Sequence, residues 1–171
     1  MTRFRARPER SRLSIEAKSS LHPIHGEATG LRGELEVEIR DGRLDETVPP
    51  KARIELPVER LRSGNTLMDM ETRRRIDARK FPTITAELRE VRALDRPDRY
   101  RAWIDLTLHG VTRRLPADVT ARLDGENELS VEADLRLDVH GFGITPPRLL
   151  GLRVDPEVKV HAHLVAEEQG G

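Results

Sequence analysis

The histidines are the side chains best suited to metal binding or proton transfer, because imidazole titrates near neutral pH and is the commonest protein ligand of metals. Six of the 171 residues are histidines. His161 and His163 are two residues apart, which places both rings on one face of a strand, and His22 and His25 lie near a predicted turn. The neighbours of His161 and His163 on the other face are apolar, so we expect both rings on the outer surface. A His-based metal-dependent enzyme is kept as an alternative.

Arg73, Arg74 and Arg75 form a run of guanidinium groups that could bind a phosphate, since their planar donors match phosphate geometry. The alternative is a solvated helix face on which they pair with Glu71, Asp69 and Asp77. Nucleic acid is not expected as a partner, because 30 Lys and Arg are balanced by 30 Asp and Glu and only 3% of the residues are aromatic.

The sequence carries none of the common catalytic signatures. It has no cysteine, which excludes disulfides, thiolate metal sites and cysteine nucleophiles. Nucleophile-elbow, zinc-protease, phosphate-loop and dinucleotide motifs are also missing from it. We therefore predict no catalytic residues, no metal, no cofactor and no enzymatic activity.

Most of the chain alternates apolar and polar residues with period two, which is typical of strands with one dry and one wet face. Leu129, Val131, Ala133 and Leu135, for example, are separated by charged or polar residues. Eight segments show this pattern: residues 13–17, 35–39, 52–58, 84–88, 102–108, 115–123, 129–139 and 158–164. The pattern predicts an all-β protein.

Turn and helix signals set the connections between these segments. Asp41-Gly42, His109-Gly110 and Asp124-Gly125 indicate tight turns between antiparallel neighbours. Residues 66–69 (Thr-Leu-Met-Asp) fit a capping box, which predicts one short helix over about residues 66–79. The length predicts a single domain over residues 1–171, with loose ends at 1–3 and 167–171.

The apolar positions are almost all Val, Leu, Ile and Ala. Such one-sided strands bury their dry faces in a two-sheet sandwich or in a closed barrel. A barrel of about eight strands is wide enough either to be filled by its own side chains or to hold one small ligand. An aliphatic lumen would suit a long hydrocarbon, because each methylene removed from water contributes about 0.8 kcal/mol. The alternative is an ordinary close-packed core.

Two strings carry a resemblance to a known family. The first is Phe81-Pro82-Thr83-Ile84-Thr85-Ala86, and the second is Trp103-Ile104-Asp105-Leu106-Thr107-Leu108-His109-Gly110-Val111-Thr112-Arg113-Arg114. With His140-Gly141-Phe142-Gly143-Ile144 further on, they resemble the YceI-like family of lipocalin-like, polyisoprenoid-binding proteins. The resemblance implies a single extended antiparallel eight-stranded β-barrel, closed by the helix, that holds an isoprenoid-type lipid.

From this resemblance and the alternation we predict non-enzymatic binding of a hydrophobic small molecule in the lumen. The predicted ligand contacts are Val37, Ile54, Leu56, Ile84, Ile104, Leu106, Val119, Leu135, Phe142 and Val160. Arg73, Arg74 and Arg75 are predicted to bind a head group. Trp103 has the opposite parity from Ile104, so it is expected outside the lumen. His109 is expected to have a structural role, with its ring bonded to backbone.

The remaining expectations concern partners and location. No apolar run lies in the first 25 residues, and no later stretch approaches a membrane span. We therefore expect a cytoplasmic protein without stable membrane insertion, although many members of the family are exported. A homodimer is left open. A protein-protein interaction module with a filled core is the alternative to the lipid carrier.

Overall fold

The computed structural model describes residues 1–149 and 151–170. Alternating segments form strands here because each strand can bury its apolar face in one shared interior. The strands are β1 (Thr2–Ala6), β2 (Arg12–Ser19), β3 (Ile24–Thr29), β4 (Arg32–Val37), β5 (Ile39–Arg40), β6 (Arg43–Leu44), β7 (Lys51–Pro57), β8 (Thr83–Ala93), β9 (Arg99–Leu108), β10 (Val111–Asp124), β11 (Glu128–Asp138), β12 (Arg148–Leu149) and β13 (Leu152–Glu168). The helical segments are α1 (Thr66–Ile76) and the 3-10 turns Pro8–Arg10, Val58–Arg60 and Val139–Phe142.

Eight of these strands close into an antiparallel barrel. The order of hydrogen-bonded neighbours is β1-β4-β7-β8-β9-β10-β11-β13, and β13 pairs with β1 again. β2 pairs with the earlier part of β13, and β3 pairs with β2. The prediction of a closed eight-stranded antiparallel barrel with one helix is therefore confirmed, and all eight predicted segments lie in or overlap strands.

The prediction of loose ends was wrong for residues 2, 3, 167 and 168, which lie in strands. Residues 2–6 form β1, in which the Phe4 side chain is 0% exposed, and Glu167 and Glu168 continue β13 opposite β1 and β11. Gly171 lies outside the described residues. The two ends of the chain are ordered because each completes the hydrogen bonds of the other's strand.

Ser11 lies between β1 and β2, which both pair with β13. Arg7 N–H donates to the Val165 carbonyl (2.7 Å), where β1 leaves the barrel wall. The Ser11 hydroxyl then accepts from Val165 N–H (3.1 Å) and donates to the Val165 carbonyl (3.3 Å), before β2 takes over the pairing. Ser11 is 1% exposed, so its hydroxyl substitutes for the missing backbone partner in a place that water does not reach.

α1 lies across the end of the barrel at which β7 ends and β8 begins, and we call this the helix end. Its N-cap is Asn65, whose side chain accepts from Met68 N–H (3.1 Å). The predicted capping box was therefore one residue out of place. Asp69 accepts instead from Ser63, at both N–H (2.8 Å) and hydroxyl (2.7 Å). The helix ends at Ile76 rather than at 79, because Asp77 adopts a left-handed conformation (φ +56°).

Candidate functional site

The barrel encloses a cavity of about 430 Å³. This volume lies within the range of about 300–1,000 Å³ that is typical of small-molecule pockets. The inward side chains Ile54, Ile104 and Val160 line it and stay only partly buried, although they point into the protein. The interior is therefore under-filled, and the alternative of a close-packed core is wrong for the described residues.

Strand alternation places the cavity lining correctly. Nine of the ten predicted ligand contacts line the cavity: Val37, Ile54, Leu56, Ile84, Ile104, Leu106, Val119, Leu135 and Val160. In β8 the register shifts between Leu88 and Glu90, a bulge that lets Leu88 and Val91 both face the lumen.

Phe142 is the predicted contact that does not line the cavity. It lies in the 3-10 turn after β11, is 1% exposed and packs in the cluster of Val58, Ile76 and Leu108 at the helix end. The strand β11 ends at Asp138, so the alternation of inward and outward side chains does not predict the direction of Phe142. Its ring therefore belongs to the packed core at the helix end.

His109 contacts the turn that carries Phe142. Its Nδ1–H donates to the Phe142 carbonyl (2.9 Å), and its ring meets the edge of Phe81 with centroids 5.3 Å apart. The expected structural role of His109 is therefore present in the structure, with the bond made to the neighbouring turn rather than to its own hairpin.

Several lining residues were missed. Tyr100 lies on the same face of β9 as Ala102 and Ile104, and it lines the cavity. The alternation along β9 was therefore sufficient to predict that Tyr100 faces the lumen. Burial raises the pKa of Tyr100, with a further contribution from the Glu46 carboxylate. Trp103 does not line the cavity and carries the Arg92 guanidinium 5.3 Å from its ring centroid.

Helix α1 also contributes to the lining, through Met68, Thr72 and Ile76. A sequence pattern could not show this, because the contribution depends on how the helix lies across the barrel.

The two ends of the cavity differ in access. The exposed lining residues, His25, Arg62 and Asp155, all lie at the helix end. At the opposite end the lining consists of partly buried residues around the β5–β6 hairpin, among them Glu38 and Glu46. The cavity therefore reaches solvent beside α1 and is covered by the hairpin at its other end.

The three predicted head-group arginines fall into two environments. Arg73 and Arg75 line the cavity, whereas Arg74 does not, so the structure brings two of the three predicted head-group residues to the lumen. Arg74 is exposed and its Nη2 donates to Glu71 Oε1 (2.9 Å), while Arg75 Nε donates to the same oxygen (2.7 Å). The hydrogen bonds from Arg74 and Arg75 lower the pKa of Glu71 to about 2. Arg74 projects outward because helical geometry turns it away from its neighbour Arg73.

His161 and His163 lie outside the lumen, as their parity predicts. The ring of His161 donates from Nδ1 to Asp134 (2.7 Å), and that of His163 donates from Nδ1 to Glu132 (3.1 Å). Within residues 1–149 and 151–170, no group of three or more His, Asp or Glu side chains is arranged to hold a metal. No helix in the described part of the chain is long and apolar enough to cross a membrane.

Comparisons with known proteins agree with this architecture. Residues 4–166 match the family model described as a YceI-like domain. The fold is similar to that of Burkholderia cenocepacia BcnA (18% identity, TM-score 0.76, covering 94% of this chain and 98% of that one). It is also similar to a polyisoprenoid binding domain from Saccharophagus degradans implicated in plant cell wall breakdown (13%, 0.76, 99% and 100%).

A YceI protein of Campylobacter jejuni shares the fold as well (12% identity, TM-score 0.66, 85% of each chain). A search of curated proteins gives no match. At these identities the solved structures establish the barrel fold.

Proposed function

This chain belongs to the YceI-like domain family, and from that premise we propose that it binds and carries an isoprenoid-type lipid in its lumen without catalysing a reaction. The observation that carries the proposal is the hollow aliphatic interior, a cavity of about 430 Å³ whose exposed lining residues lie beside α1. The similar domain from Saccharophagus degradans is described as polyisoprenoid binding, which supports the same class of ligand.

The shape of the lining supports a branched chain as the cargo. Small and large side chains alternate along two of the strands: Ile84, Ala86 and Leu88 on β8, and Val131, Ala133 and Leu135 on β11, all line the cavity. Each alanine leaves a recess between two larger side chains, and a methyl branch of an isoprenoid can occupy it. Each methylene that leaves water contributes about 0.8 kcal/mol, against the entropy lost when the chain is immobilised.

The character of the lining supports binding over catalysis. The middle of the lumen is formed by aliphatic side chains such as Ile104, Val119 and Val160, which neither transfer protons nor act as nucleophiles. The titratable lining residues of the described chain lie mainly towards the two ends of the cavity. An apolar wall of this kind holds a ligand by desolvation and shape.

A lumen-filling variant tests the proposal. Ala133→Trp places an indole in the cavity, whereas Arg122→Trp places the same side chain on the exposed outer face of β10. Lipid extracted from each purified protein with organic solvent is identified by mass spectrometry, and binding of geranylgeraniol is measured by calorimetry. We expect Ala133→Trp to weaken binding at least about tenfold, which is about 1.4 kcal/mol, and Arg122→Trp to bind like the wild type.

Circular dichroism and urea unfolding establish that both variants are folded. Extracts without lipid from several expression hosts, together with no binding of prenyl alcohols by the wild type, would show that the lumen is not a carrier site. Equal binding by Ala133→Trp and the wild type would show that the ligand sits elsewhere.

A further inference from the structure

The Nε of Arg73, on the helix that lines the cavity, has no hydrogen-bond acceptor among the described residues. Arg73 is partly buried on α1 and lines the cavity at the helix end. Its Nε is shielded from solvent. A guanidinium is permanently charged, and a buried donor without an acceptor is costly, so the free protein holds a cationic group ready for a partner that it does not itself supply.

The neighbouring acidic groups are engaged elsewhere. Glu71 accepts from both Arg74 and Arg75. Asp69 accepts from Ser63, and Asp155, which also lines the helix end, accepts from Glu157 N–H (3.0 Å). Each of these carboxylates already has a local hydrogen-bond partner.

The end of α1 does not repel an anion strongly. Helix C-termini are negative because their last carbonyls lack partners. Here the Arg73 carbonyl accepts from Ala78 N–H (3.0 Å) and the Arg74 carbonyl from Asp77 N–H (3.1 Å). These bonds satisfy two of the last carbonyls of α1.

The charge at the two ends of the cavity differs in sign. Arg62, Arg73 and Arg75 outnumber Asp69 and Asp155 at the helix end, whereas Glu38, Asp45 and Glu46 line the hairpin end. A ligand with an anionic head and an apolar tail therefore lowers its electrostatic energy when its head lies beside α1. The open end of the cavity is the same end, so the head can stay near water while the tail is buried.

We propose that the lumen selects amphiphiles with an anionic head, a phosphate or a carboxylate, and that Arg73 binds this head. The inference rests on the proposed lipid-binding function and narrows its ligand class. Arg73 supplies the charge of its guanidinium, and the surrounding aliphatic wall strengthens its attraction to an anion by excluding water. Arg75 assists by its charge, although its own Nε is already bonded to Glu71.

Matched pairs of ligands test the inference. Binding of geranylgeranyl phosphate and geranylgeraniol is measured by calorimetry for the wild type, Arg73→Met and the control Arg74→Met. Methionine keeps an unbranched apolar stem and removes the guanidinium, and Arg74 carries the same charge on the same helix but outside the cavity. Hexadecanoic acid and hexadecanol form a second pair, which separates recognition of a carboxylate from that of a phosphate.

We expect the wild type and Arg74→Met to prefer the anionic member of at least one pair by about tenfold or more, a factor within reach of one charge-assisted hydrogen bond. Arg73→Met should lose most of that preference and bind the alcohols as before. Arg73→Lys should recover part of it, since it restores the charge without the fork of donors.

Equal affinity of the wild type for the two members of both pairs would overturn the head-group assignment and leave the lipid-binding proposal standing. An equal loss of preference in Arg73→Met and Arg74→Met would show a general effect of helix charge and would overturn it too. Failure of the wild type to bind any of the four probes would refute both proposals.

Discussion

Replacement of Ser11 by alanine should destabilise the barrel at the point where β13 changes partners. The Ser11 hydroxyl is the acceptor for Val165 N–H (3.1 Å) and is 1% exposed, so water does not replace it readily. The Val165 carbonyl keeps its bond from Arg7 N–H (2.7 Å), which leaves one buried N–H without a partner. We therefore expect the free energy of unfolding to fall by about 1–3 kcal/mol.

For a protein of this length, each kcal/mol lowers the melting temperature by about 2–4 °C, so the expected shift is about 2–12 °C. Urea and thermal unfolding monitored by circular dichroism measure it, and amide hydrogen exchange reports on Val165 directly. Ser14→Ala is the matched control, because Ser14 is exposed on β2. Its effect should stay within about 0.5 kcal/mol.

Two results together would refute the reasoning. The first is a free energy of unfolding of Ser11→Ala within about 0.5 kcal/mol of the wild type, which is the range of an ordinary surface substitution. The second is an unchanged rate of amide hydrogen exchange at Val165. They would show that Val165 N–H finds another acceptor.

Three further predictions follow from the contacts described above. Phe142→Ala should lower the free energy of unfolding by about 3–5 kcal/mol, because the ring fills the core. The affinity for prenyl alcohol, measured by calorimetry, should stay unchanged. Lost affinity at unchanged stability would place the ring in the binding site instead. Gly110→Ala should lower the melting temperature more than Gly42→Ala does. Both glycines have positive φ (+71° and +74°), but only a Cβ at Gly110 would clash with Phe81, at 2.6 Å from its Cε1. Equal shifts of the melting temperature would contradict the clash. The depressed pKa of Glu71 means that its ion pairs add stability above its ordinary value of 4.5 and lose it as the pH falls towards 2. Glu71→Gln should therefore flatten the pH dependence of unfolding in that window, and a carboxyl NMR titration with a midpoint near 4.5 would disprove the shift.

The long strands could be predicted from sequence because period two is unambiguous over many residues. In β11, inward Leu, Val and Ala alternate with charged or polar residues, so the lumen-facing set follows directly. Phe142 was misplaced because an aromatic residue just beyond β11 was treated as though the alternation continued, whereas a 3-10 turn rotates it out of register.

The short strands could not be recognised in the same way. β1 has only two buried apolar residues, Phe4 and Ala6, which are too few to show an alternating pattern, and its first residues were predicted to be a loose terminus. β3 places Gly26 opposite Ile15, and a Cβ there would lie 2.8 Å from Ile15 Cγ1. Close packing thus requires the absence of a side chain at Gly26, which also removes the hydrophobic signal.

The hollow interior was beyond sequence analysis for a different reason. The same aliphatic residues can fill a narrow barrel or line a wider one, and the difference depends on strand tilt and stagger, which alternation does not report. The orphan Nε of Arg73 likewise depends on the rotation of α1 across the barrel mouth.

The pairing of β1 with β13 has a consequence for how the chain folds. Arg7 and Glu167, whose side chains meet across this seam at 2.7 Å, are 160 residues apart in the chain. The hairpins of β8, β9, β10 and β11 join neighbours through short turns, so they can form early, whereas closure of the ring must bring together distant segments and is entropically slow. A nascent or truncated chain without β13 would leave β11 and β1 as unpaired edges, and such edges recruit strands from other molecules. We therefore expect the chain to be most prone to aggregation before β13 has paired.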